Sequence, residues 1–115
     1  MRAIKIPVDH TEPIAVVDVG HDWRSMAQAI GGPCEYIERV RCPLTPEHNL
    51  VLAVDENGLF DGQPVNDRAW PLYPVPGYQL HGTVLVLQEG LTSEGIDFMD
   101  LTDPEQALRL VETVS

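Results

Sequence analysis

Cys34-Glu35-Tyr36-Ile37-Glu38-Arg39-Val40-Arg41-Cys42 and, further on, Asn49-Leu50-Val51-Leu52-Ala53-Val54-Asp55 are the segments the rest of the chain must pack around. The first mixes β-branched, aromatic and charged residues, the pattern of a strand with one face packed and one face wet. Charge of this kind marks an edge strand, with Glu35 facing Arg39 or Arg41 as a solvated pattern that discourages aggregation. The second is apolar at five successive positions, so neither face tolerates solvent and the strand belongs at the centre of a sheet. Together they read as a hairpin. Asp55-Glu56-Asn57-Gly58 ends it with an Asn-Gly pair suited to the positive φ angles of a tight turn.

Upstream, Arg2 to Val8 alternates apolar and polar residues as a half-buried strand does, and Ile14 to Val19 follows after a short break at Asp9–Pro13. The short connection favours antiparallel pairing. Trp23, Met26, Ala27 and Ile30 then fall on one face of a helix, with Asp22 as N-cap and Gly31 as terminator ahead of Gly32-Pro33. Downstream, Asn66 is placed to cap a brief helical turn over Asp67 to Trp70, which Pro71 should stop or kink. Gly82 to Gln88 is the most apolar strand, expected to be buried on both faces. A last helix begins either at a Thr102/Glu105 capping box or at Asp103-Pro104, and packs through Ala107, Leu108, Val111 and Val114. The sum is a single α+β domain over residues 1–115, with a mainly antiparallel sheet of about five strands and two main helices packed on it.

One domain is what 115 residues allow, and 43% hydrophobic residues suffice for a core. With 18 acidic against 7 basic residues the net charge is −11, which argues against direct binding of a nucleic-acid backbone and favours basic partners. From Glu89 onward there are seven carboxylates against the single basic residue Arg109. Cys34 and Cys42, placed on one strand, stand roughly 26 Å apart and are expected to be free thiols. No apolar run reaches the roughly 20 residues of a membrane span and no signal peptide is evident, so the expected compartment is the cytoplasm.

Four pieces, in this order, carry a family resemblance: Gly31-Gly32 followed by Glu35, the strand ending Asp55-Glu56-Asn57-Gly58, Asn66-x-x-Ala69-x-x-Leu72-Tyr73, and Gly82-Thr83-Val84-Leu85-Val86. The chain resembles a family of small proteins of unknown function from actinobacteria and the phages and plasmids that infect them. The resemblance implies a compact α+β domain of mobile-element or host origin. It brings no activity and no catalytic residue, and Pro71 departs from a helical turn that the family shows there.

His10, His21, His48 and His81 with the two cysteines lack the close ligand spacing of a zinc site, so no metal or other cofactor is expected. Glu35 and Glu38, three apart on a strand, point to opposite faces and cannot act as a carboxylate pair. No phosphate loop, nucleophile elbow or dinucleotide fingerprint is present, and no catalytic residue is assigned. Pro71-Leu72-Tyr73-Pro74 fits a polyproline ligand but reads better as a rigid loop. Two surfaces are left. Asn66, Asp67, Arg68 and Tyr73, in a loop reaching to Tyr78, are candidates for a ligand, against the reading in which Asn66 caps a turn and the aromatics fill the core. Glu94, Asp97, Asp100, Asp103 and Glu105 are candidates for a partner, against a merely solvated acidic face. The favoured function is a phage-type accessory protein, non-enzymatic, that binds a basic protein. Alternatives are a small-molecule-binding or enzymatic domain using the Asn66–Tyr78 loop, and a nucleic-acid mimic. An edge strand leaves homo-oligomers open.

Overall fold

In the computed structural model, which describes residues 1–43 and 49–115, the chain forms a six-stranded antiparallel sheet with one helix on each face. In chain order the elements are β1 (Arg2–Ile6), β2 (Ala15–Asp18), α1 (Trp23–Ile30), β3 (Ile37–Arg41), β4 (Leu50–Asp55), β5 (Val84–Thr92), β6 (Gly95–Met99) and α2 (Pro104–Val114), with a 3-10 turn at Trp70–Leu72. The spatial order is β2-β1-β5-β4-β3, with β6 also paired to β5. β3 and β4 form the expected hairpin, Val40 opposite Leu52, with β3 outermost.

β4 is buried at all six positions because its alternating side chains feed two separate cores. Leu50, Leu52 and Val54 join Ile4, Ile6, Val84 and Val86 on the side where α2 packs through Ala107 and Val111. Val51 and Ala53 join Ala3, Leu85 and Leu87 on the side where α1 packs through Met26 and Ile30. Truncating a residue at the centre of either layer, such as Leu52→Ala, would cost about 2–5 kcal/mol through lost burial and the cavity left behind.

β5 is the spine. Its first part pairs with β1, Ile4 opposite Val86, and its second with β6, Glu89 opposite Phe98. Gln88 has Leu50 on one side and Met99 on the other, so β6 and β1 share the edge of β5 that β4 does not use. The two meet end to end where the Arg2 amide donates to the Asp100 carboxylate and the Leu101 amide to the Arg2 carbonyl at 3.3 Å. The far end of β5–β6 curls over the α1 face. Arg39 on β3, separated from β6 by β4 and β5 in the strand order, still reaches the Ile96 carbonyl at 2.7 Å.

Several expectations are corrected. β6 is an extra strand in the acidic region. The Cys34–Cys42 strand begins only at Ile37, so Cys34 and Glu35 precede it, although both thiols are free. Arg39 and Arg41 pair with Glu89, at 3.7 and 2.7 Å, instead of Glu35. Asn57 and Gly58 do not take positive φ. The Asp55 carboxylate closes that turn by accepting from the Asn57 amide at 3.0 Å. Gly58 is there for space, since a Cβ would come within 2.9 Å of His81 Cβ. Pro71 lies inside the 3-10 turn, in its first residues, where its missing N–H costs nothing. Of the two starts open for α2, Asp103-Pro104 is used, the Asp103 carboxylate accepting from Gln106 N at 3.1 Å, while the Thr102 hydroxyl donates to Gln88 at 2.6 Å. Both caps of α1 follow expectation, with Asp22 accepting from Ser25 N at 2.9 Å and Gly31 at φ +81°, while Trp23 lies outside the buried face of Met26, Ala27 and Ile30.

Candidate functional site

Asn66 is fully buried. Its amide donates to the carbonyls of Ile6 and Gly82, each at 2.9 Å, and its oxygen accepts from Ala69 N at 3.1 Å. A side chain so engaged caps the turn and ties the loop to β1 and β5, leaving no group for a ligand. Arg68 donates to the carbonyls of Pro7, Asp9 and Glu12 at 3.2, 2.7 and 2.8 Å, and Asp67 meets His10 at 2.8 Å. That contact with His10 holds the Asp67 carboxyl below its ordinary range. Both residues line an open hollow with Ile14 and Glu112, without any aromatic wall. Tyr73 packs edge-on against Tyr78 at 5.2 Å, apart from that hollow. Tyr73 does pack against the core on the α2 side, whereas Trp70 and Tyr78 are 43% and 37% exposed.

The five acidic candidates sit in different local settings. Glu94 tops the β5–β6 turn and Glu105 lies exposed in the first turn of α2. Asp103 caps α2, and Asp100 is held by the amide and guanidinium of Arg2, which lower its pKa. Asp103 also lines a small hollow between α2 and β4, and Asp97 borders a larger groove.

That groove, of about 700 Å³, opens on the α1 face. Trp23 and Met26 come from the start of α1, Tyr36 and Ile37 from the entry to β3, and Phe98 from β6. Asp22, Glu56 and Asp97 stand on its rim with His21. Trp23 is 56% and Tyr36 59% exposed, so neither serves the core. Helical spacing places Trp23 on the packing stripe, but at the first position of α1 its side chain stays exposed. Local hydrogen bonds fix the lips. His21 Nε2 lies 2.9 Å from the Phe98 carbonyl, and Glu56 N donates to Tyr36 O at 2.9 Å. The Asp22 carboxyl is held below its ordinary range by the Ser25 amide and hydroxyl, so it stays anionic. Among the described residues none lining the groove carries a permanent positive charge.

Among the described residues, no three His, Cys, Asp or Glu side chains are grouped to hold a metal, and His48 lies outside them. No helix among them is long and apolar enough to cross a membrane.

The family model DUF3846, a domain of unknown function, matches residues 1–115. The chain belongs to the DUF3846 family. Neither the curated proteins nor the solved structures contain a match to it.

In this DUF3846 domain three of the four stretches that carry the resemblance meet at Gln63, and the fourth joins them through Asn66 and Gly82. Its amide donates to Asp55 at 3.1 Å and to the Gly31 carbonyl at 3.4 Å. Gly82 and Gly32 press against it, and a Cβ on Gly82 would sit 2.8 Å from its side chain. Asn66 holds the Gly82 carbonyl from the other side. The Asp61 carboxyl is raised by its hydrogen bond to Asp55 and the nearby charge. Burial, with Asp55 and Asp61 close by, pushes the Cys34 thiol up to about 11, which makes it a poor nucleophile. The junction therefore holds the fold together and offers no activated group.

Proposed function

We propose that this domain is a non-enzymatic binding module that recognises a basic protein through an acidic surface, as an accessory protein of actinobacteria or of the phages and plasmids that enter them. The observation that carries the reading is the groove beside α1, which joins two exposed aromatic rings to three rim carboxylates in a chain of net charge −11. Aromatic anchors inside a polar rim are the usual composition of a partner surface. The alternative at the Asn66–Tyr78 loop has less behind it, because Asn66 spends both amide donors, and Arg68 one guanidinium nitrogen, on backbone carbonyls. The mimic has less as well, because Asp100 and Asp103 are engaged within the fold.

The test is retention of proteins from an actinobacterial lysate on the immobilised domain at low and at moderate salt. A basic protein held at low salt and released by moderate salt is the expected result. Retention of nothing, or of proteins indifferent to salt, would sink the reading.

A further inference from the structure

Resting on that reading, we infer that the groove between α1, the entry to β3 and β6 is the seat of an arginine or lysine side chain presented by an extended segment of the partner. Trp23 and Tyr36, from different elements, both line the groove with exposed rings. Ring faces attract a guanidinium or ammonium group, Trp most strongly. The neighbouring Arg24 guanidinium stands 5.5 Å from the centre of the Trp23 ring, so a partner's cation takes the ring's other face or displaces Arg24. Met26, Ile37 and Phe98 supply apolar surface on which the aliphatic stem of such a side chain can lie. Glu56 is the carboxylate for its charged head, and Asp22 and Asp97, already held by Ser25 and by the Phe98 amide, add negative potential beside it.

Other ligand chemistries fit less well. A nucleic-acid strand would stack on the same rings, but its phosphates would meet three carboxylates. A neutral apolar ligand would leave the rim charges without a role. An extended segment suits the place because β3 is an outer strand of the sheet, and Tyr36 and Ile37 lie at its entry.

The test uses the whole chain and three probes: an end-blocked Gly/Ser peptide bearing arginines, its glutamate counterpart, and a single-stranded oligothymidine. Binding is read by calorimetry and by the indole N–H signals of Trp23 and Trp70. The arginine peptide alone is expected to bind and to shift the Trp23 signal. Trp23→Ala and Tyr36→Ala should each weaken it about tenfold. Glu56→Lys, at an exposed position, should abolish it without touching the core. Trp70→Ala should leave it unchanged. Unaltered affinity in the Trp23 and Tyr36 variants would overturn the groove while leaving the basic-partner reading standing. Equal binding of the oligothymidine, or no binding of the arginine peptide, would also overturn it, and salt-sensitive retention from lysate would then decide the broader reading alone.

Discussion

Asn66 and Asp61 show how differently two polar residues serve one loop. Asn66 satisfies three backbone groups from inside the core, so Asn66→Ala strands two carbonyls and an amide. The expected loss is about 2–4 kcal/mol in urea unfolding, and a loss within error of zero would mean that water replaces the amide. Asp61 lies beside Asp55 with its pKa raised, so its ionised form is disfavoured in the fold. A raised carboxyl is most favourable to the fold below the ordinary carboxylate pKa and becomes less so as pH rises through its folded value. Asp61→Asn keeps a hydrogen-bonding group and removes the charge. Its melting midpoint should exceed that of the parent at neutral pH, with the gap closing on acidification to about pH 4. A gap that persists in acid would refute the coupling.

At the scale of elements, the caps give the clearest tests. Asp103→Ala should cost about 1 kcal/mol and speed amide exchange at Gln106, whereas Thr102→Ala should leave that amide protected. Legibility followed how local each signal was. β4 announced itself by five apolar residues in a row, and α1 by its spacing and both caps. β6 did not, because Gly95-Ile96-Asp97-Phe98-Met99 is half wet and takes its order from β5 and from the reach of Arg39 to Ile96. The groove was illegible for the same reason. Trp23 and Tyr36 carry no shared local pattern, and only the packing of α1 beside the entry to β3 brings them to one groove. The loop at Asn66 was half legible: its cap was readable, but the carbonyls that absorb Arg68 belong to distant residues 7–12.

For the whole molecule, charge is the dominant variable. Asp9, Asp22, Asp67 and Asp100 all have depressed pKa values, through hydrogen bonds to Thr11, Ser25, His10 and Arg2 respectively. A depressed carboxyl supports the fold above its unfolded pKa, and that support is lost as pH falls through the folded value. These groups are exposed and each contributes little, but all four act in the same direction. Stability should therefore decline between about pH 4 and pH 2, measured as falling melting midpoints. At neutral pH the −11 charge repels itself, so added salt should raise the midpoint. A midpoint that falls with salt would show attractive pairs, such as Arg41 with Glu89, outweighing the repulsion.

The place of β1 beside β5, Ile4 opposite Val86, also sets a timetable. A ribosome delivers β1 before β5, its central neighbour, which emerges only after β2, α1, β3 and β4 have been made. Until then β1 and β2 are a two-stranded ribbon, which is marginal in water by itself, and β3 and β4 are a second. The nascent chain must carry two unfinished ribbons with apolar faces until Val84 to Leu87 arrives and joins them. Folding is thus a late, nearly single event, slowed by the distance in sequence between partners. Any interruption of translation before β5 would leave a fragment fit for chaperones or proteases rather than for binding.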